Sequence, residues 1–89
     1  MHIEFDEAKR AVTLQERGLD FADAEAVFAG VNITFPDQRH DYGEERFNTV
    51  GLLHGRMVVV TWTPRGAARR IISMRKANER EQARFQALG

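Results

Sequence analysis

The chain has no cysteine, which excludes a disulfide framework and any thiolate metal site without fixing the compartment. No apolar run approaches the ~20 residues that a membrane-spanning helix needs. The N-terminus MHIEFDEAKR lacks the apolar segment of a secretory signal. A cytoplasmic protein with no membrane association is therefore expected. Proline occurs only twice and tryptophan and tyrosine once each, and there is no internal repeat or low-complexity stretch. With 89 residues, the chain forms a single domain over 1–89 that can bury one core, which suits a two-layer packing of helix on sheet.

An excess of charge of either sign is also missing, since the net charge is zero. The total hides a division. Residues 1–64 hold six Lys/Arg against eleven Asp/Glu, whereas residues 65–89 hold seven Lys/Arg against only Glu79 and Glu81. Such asymmetry fits either a basic face for a polyanion or two halves that pair with each other.

Hydrophobic periodicity gives the elements. Ile3 and Phe5 alternate with His2 and Glu4, predicting a strand over 1–5. Asp6 has N-cap chemistry, and the helix it opens runs through Ala8, Ala11 and Val12 to Gly18. Asp20 caps a second helix, in which Phe21, Ala24, Val27 and Phe28 form one apolar face before Gly30. The period then becomes that of strands, over 31–35, 46–53, 57–63 and 68–75. They are separated by a polar loop over 36–45, a His54-Gly55 hairpin turn and a Pro64–Ala67 turn. A terminal helix over 78–88 is anchored by Ala77, Arg84, Phe85 and Leu88. The expectation is an α+β fold of order β-α-α-β-β-β-β-α, with two N-terminal helices on a mainly antiparallel sheet of four to five strands, plus a C-terminal helix. Strict alternation in the last strand would place Arg70, Ile72 and Met74 on one face and Arg69, Ile71, Ser73 and Arg75 on the other.

Thr61–Ala77 carries Arg65, Arg69, Arg70, Arg75 and Lys76 with no acidic residue among them. Arginine donates in a planar fork that matches phosphate oxygens. RNA cleavage by attack of a 2′-hydroxyl needs stabilised phosphorane charge and an aligned nucleophile. Arg65, Arg70 and Arg75 suit both needs without a metal or other cofactor. The plainer reading is a set of surface arginines paired with the acidic half. In the loop, His40 and Glu44-Glu45 are candidate acid and base groups, or weak metal ligands, or simply solvated side chains. Tyr42 suits base stacking or sheet-edge packing. Trp62 reads as a core or interface anchor, and His2 and His54 as surface residues.

The blocks Thr63-x-Arg65-Gly66 and Arg70–Ala77, RIISMRKA, together with Glu44-Glu45-Arg46, resemble the BrnT family. Supporting matches are Ile3–Asp6 with Lys9, Gly18, Phe21–Ala24 through Val27-Phe28, Asp37 with His40, Val50-Gly51 and Gly55-Arg56. Thr13, Glu16 and Arg17 stand where the family usually has Asn, Lys and His, so Glu16 reverses a charge. The resemblance implies a RelE-like endoribonuclease toxin of a type II toxin–antitoxin pair that inhibits translation. It implies a BrnA-like ribbon-helix-helix antitoxin, in a hetero-oligomer expected to be a heterotetramer, with DNA bound only through the antitoxin. In that frame Arg65 and Arg75 stabilise the scissile phosphate, and His40 or Glu45 moves protons. Lys9, Arg17, Arg46, Arg70 and Lys76 contact the RNA. The rival reading is a non-catalytic or weakened module that binds RNA or the antitoxin.

Overall fold

The computed structural model describes residues 1–38 and 43–87. Strand β1 (His2–Phe5) leads into helix α1 (Glu7–Arg17). A 3-10 turn (Phe21–Asp23) then precedes helix α2 (Ala24–Ala29). Strands β2 (Asn32–Pro36), β3 (Phe47–Leu53), β4 (Arg56–Arg65) and β5 (Ala68–Lys76) follow, and helix α3 (Glu79–Gln86) comes last. The five strands form one mixed sheet in the order β1-β5-β4-β3-β2. It is antiparallel except where β1 runs parallel to β5. With three helices among the described residues, the protein is of the α+β class.

Local chemistry sets the boundaries. Asp6 accepts from the amides of Ala8 and Lys9 at 2.8 and 3.2 Å, and Gly18 ends α1 in the left-handed region at φ 68°. The second helix departs from expectation because it begins as a 3-10 turn. The Asp20 carboxylate takes the Ala22 amide at 2.9 Å and the Asp20 carbonyl takes the Asp23 amide at 3.0 Å, tightening the first turn. The Pro64–Ala67 turn is shorter than expected. Pro64 and Arg65 extend β4, paired with Arg69 and Ala68, and only Gly66-Ala67 turns. Asn78 caps α3 in a reciprocal capping box with Glu81. Leu88, expected to anchor that helix, lies outside the described residues.

The two faces of the sheet are covered differently. On one face, Phe21, Ala24, Val27 and Phe28 pack on Val58, Val60, Trp62, Ile71 and Met74. Helix α2 comes so close to β3 that a Cβ on Gly51 would sit 2.9 Å from Val27 Cγ1. Helix α1 buries no residue, so the expectation that two helices cover this face gives way to α2 and the 3-10 turn. Polar ties hold α1 instead. Arg10 grips Asp20 through Nε and Nη2 at 2.7 and 3.0 Å, and Arg17 Nη1 donates to the Met74 carbonyl at 2.8 Å. On the opposite face, α3 shelters a smaller cluster of Val50, Val59 and Ala77, with Ile33, Phe35, Met57 and Phe85 partly buried beside it.

The β5 strand breaks the expected alternation. Thr61 pairs with Ser73 and Trp62 with Ile71, which leaves Ile72 as an extra residue. A bulge of one residue reverses the phase of everything after it. Ile71 and Met74, three apart, are therefore both buried in the α2-side core. Arg70, Ser73 and Arg75 pair with Thr63, Thr61 and Val59, and so share the opposite face. Strict alternation had separated Arg70 from Arg75. The bulge unites them.

Candidate nucleic-acid interface

The face that α3 only partly covers is built from alternate residues of three central strands. Val50 and Val59 supply its apolar half under α3. Asn48, Thr61, Thr63 and Ser73 supply an uncharged polar floor beyond it. Thr61 Oγ1 donates to Asn48 Oδ1 at 2.6 Å, and Thr63 Oγ1 donates to the Glu45 carbonyl at 2.6 Å, which ties the polar loop to β4. Across this floor, Arg65 pairs with Ala68 in register, with Arg70 and then Arg75 further along β5.

Each of the three arginines meets a carboxylate. Arg65 lies 3.7 Å from Glu44, which also bonds Arg46 at 3.2 Å, and Arg70 lies 3.6 Å from Glu4. These pairs are loose and solvent-facing, in the class worth about 0–1 kcal/mol, so an incoming phosphate can displace them at little cost. Arg75 is held more firmly. Its Nη1 and Nη2 meet Glu81 Oε1 and Oε2 at 2.8 and 2.7 Å, with the Glu81 side chain only 15% exposed. Glu81 also accepts the Asn78 amide at 2.8 Å, so the α3 cap and the Arg75 clamp are one network.

The expected site residues fall into separate places. Arg65, Arg70 and Arg75 share the open face, with Arg46 beside Glu44 at its loop end. From the register, Arg65 and Arg75 stand about 20 Å apart along β5, at 3.2–3.4 Å per residue. That span suits successive phosphates along a strand better than one phosphate held by both. Lys9 is exposed on α1, on the far side of the sheet. Arg17 is committed to the Met74 carbonyl. Lys76 sits at the distant end of β5, in a shallow groove with Met57 and Gln82. Glu45 is exposed beside Glu44. His40 and Tyr42 lie outside the described residues. Among the described residues, no three His, Asp or Glu side chains gather as a metal site.

Other features escape the sequence. Phe35, Asn48, Arg75, Arg80 and Arg84 line a cleft of about 400 Å³ between the sheet and α3. The Arg84 guanidinium lies 4.4 Å from the Phe35 ring centroid. On the opposite face, Arg69 is stacked between Phe28 and Trp62, at 4.6 and 4.4 Å. Trp62 Nε1 donates to Thr49 Oγ1 at 2.8 Å, which makes Trp62 a core anchor. The one available signal for the cleft was Asn48, an amide in a mostly apolar strand. The clamp of Glu81 on Arg75 joins residues six apart across a turn, and no periodicity announces it.

A mixed sheet closed by a core on one face and carrying arginines around a polar floor on the other defines a small α+β protein with an open, arginine-bearing sheet face. The sequence pattern of a family described as the ribonuclease toxin BrnT of type II toxin–antitoxin systems matches residues 5–81, and the chain belongs to that family. It is thus a ribonuclease toxin of the type that is paired with an antitoxin. No curated protein matches the chain.

Proposed function

We propose that this protein is an endoribonuclease that cuts single-stranded RNA on the open face of its sheet and thereby inhibits translation in the cytoplasm. The observation that carries this reading is the placement of Arg65, Arg70 and Arg75 around the floor formed by Asn48, Thr61 and Ser73. A strand of RNA laid along β5 would meet a cation at each end and one between, as in a groove that tracks a phosphate backbone. Arg75, braced by Glu81, is pre-oriented and stabilises charge on the phosphorane as the 2′-hydroxyl attacks, with no metal required. Arg70 and Arg65 hold the adjoining phosphates, each giving up its loose carboxylate partner, and Arg46 assists at the loop end. Glu45 and His40 are the groups proposed to take and return the proton. Lys9 and Lys76 contact RNA only if it extends beyond this face. The overall arrangement is proposed to be RelE-like. The partner is a BrnA-like ribbon-helix-helix antitoxin, in a heterotetramer that reaches DNA through the antitoxin.

The test is induced expression of this chain in a bacterial host, with and without the neighbouring gene, reading growth and RNA integrity. Growth arrest with cut RNA, reversed by the neighbour, is expected. Arg75→Ala and Arg70→Ala should each abolish arrest while keeping the wild-type circular dichroism spectrum, and an equally toxic Arg75→Ala variant would refute the assignment. Intact RNA and normal growth from soluble wild-type protein would favour a binding module instead. Two observations give that second reading its weight: all three arginines already have carboxylate partners, and Arg17, at a position where the resembled family usually has His, is bonded to backbone.

A further inference from the structure

Asn48 is 6% exposed and its side chain is only half used. Its Oδ1 accepts from Thr61 Oγ1 at 2.6 Å, while Nδ2 has no hydrogen-bond partner among the described residues. No side-chain nitrogen or oxygen sealed from solvent among those residues lacks a partner, so this amide nitrogen must reach open space. The open space that Asn48 lines is the cleft of about 400 Å³ under α3. A nearly buried amide with two idle donors aimed into a cavity marks a place where an acceptor belongs.

The rest of the lining says what carries that acceptor. The stacked pair of Phe35 and Arg84 offers a flat surface at one wall, and bases splayed from single-stranded RNA stack on both aromatic rings and guanidinium planes. Arg80 adds positive charge at the rim, and Arg75 lines the cleft as a pair with Glu81. The volume lies in the range of small-ligand pockets. From these features we propose that the cleft is a base-reading subsite for single-stranded RNA, which seats a base bearing carbonyl oxygens and disfavours adenine. This rests on the ribonuclease reading above and deepens it. The discrimination follows from Thr61. An asparagine reads adenine with both ends of its amide, its oxygen accepting from N6 and its nitrogen donating to N7. Here Thr61 already holds the oxygen, so what Asn48 chiefly offers the cleft is its two unused donors. The carboxylates that also line the cleft are engaged, Glu81 by Arg75 and the Asn78 amide, and Asp37 by partners of its own. Uracil brings carbonyl oxygens to both donors, whereas adenine can meet them only with a ring nitrogen and leaves its N6 amino group facing a donor.

The experiment measures binding of uncleavable 2′-O-methyl tetranucleotides, all-uridine and all-adenosine, by anisotropy. These probes lack the attacking hydroxyl, so the readout is independent of catalysis. Uridine should bind roughly five- to tenfold more tightly than adenosine, the effect of one well-made hydrogen bond. Asn48→Asp retains an acceptor for Thr61 but removes both donors, so the uridine-to-adenosine ratio should fall to one or below, whatever the added charge does to overall affinity. Arg84→Ala, on the exposed side of α3, should weaken both oligonucleotides. Equal binding of the two by wild-type protein, or an unchanged ratio in Asn48→Asp, overturns the subsite. Equal displacement of both oligonucleotides by inorganic phosphate with no base preference overturns it as well. Cleavage of a mixed-sequence RNA by the wild type, mapped by its 5′ ends, separates the two claims. Cutting without base preference leaves the ribonuclease and removes the subsite. A uridine preference in binding without any cutting does the reverse.

Discussion

The two faces of the sheet are made from the same strands and differ in every other residue. Val58, Val60 and Trp62 of β4 look toward α2 and are buried in the main core. Thr61, Thr63 and Arg65, interleaved with them, look the other way, toward polar partners and solvent. One face is spent on stability and the other is left available for a ligand. In β5 this division holds only because Ile72 is extra: the bulge lets Ile71 and Met74 both serve the core while Arg70 and Arg75 both serve the open face. The general lesson is that a single unpaired residue can gather dispersed charges onto one surface while the apolar residues on either side of it stay in the core.

Adjacent residues give the sharpest way to break that comparison. Trp62→Ala removes a core ring together with its bond to Thr49 and the platform under Arg69, and should lower stability by about 3–5 kcal/mol in urea titration. Its neighbour Thr61→Val should cost about 1 kcal/mol while releasing Asn48 and disturbing RNA binding. If the two variants proved equally destabilising, the division between the faces would fail. A smaller effect is expected at the contact of α2 with β3. Gly51→Ala places a methyl 2.9 Å from Val27 Cγ1, so either Val27 changes rotamer or α2 lifts. A loss of about 1–3 kcal/mol should appear in thermal melting.

Asp20 tests how α1 is held. Its carboxyl is kept below the ordinary carboxylate value, first by the hydrogen bond from Arg10 and then by the Ala22 amide. The folded value lies below the unfolded one, near ~4. This contribution is therefore complete above that unfolded value and disappears as pH falls through the folded value. Asp20→Ala should cost about 1 kcal/mol at neutral pH, and its stability should decline less than that of the wild type between pH 5 and ~2. Parallel acid profiles would show that Asp20 carries none of the pH dependence. The smallest effect belongs to the open face. Glu4→Gln frees Arg70 from a pair 3.6 Å long and should change stability by less than about 1 kcal/mol. RNA affinity should nonetheless rise, and the gain should shrink as salt is added.

Much of the fold was legible because it is encoded locally. The carboxylate of Asp6, the left-handed Gly18, the apolar spacing of Phe21, Ala24, Val27 and Phe28, and the His54-Gly55 turn each act over a few residues. Candidate site residues were legible by type alone. Arg65, Arg70 and Arg75 stand out because arginine is concentrated in 65–76, and the same stretch includes Lys76, which follows Arg75 in β5 but lines a separate groove with Met57 and Gln82. The 3-10 start of the second helix was not legible, since a 3-10 turn and the first turn of an α-helix share the same capping residue and apolar spacing.

The sequence by itself determined the strand and helix periods, the caps, the division of charge and the chemistry on offer, because these depend on neighbours in the chain. Only the tertiary structure decided which face each side chain joined, that Ile72 would bulge, that Glu81 would clamp Arg75 and that Asn48 would be left with idle donors above a cleft. Those outcomes depend on register between strands distant in sequence, and in a sheet one residue of register exchanges inside for outside.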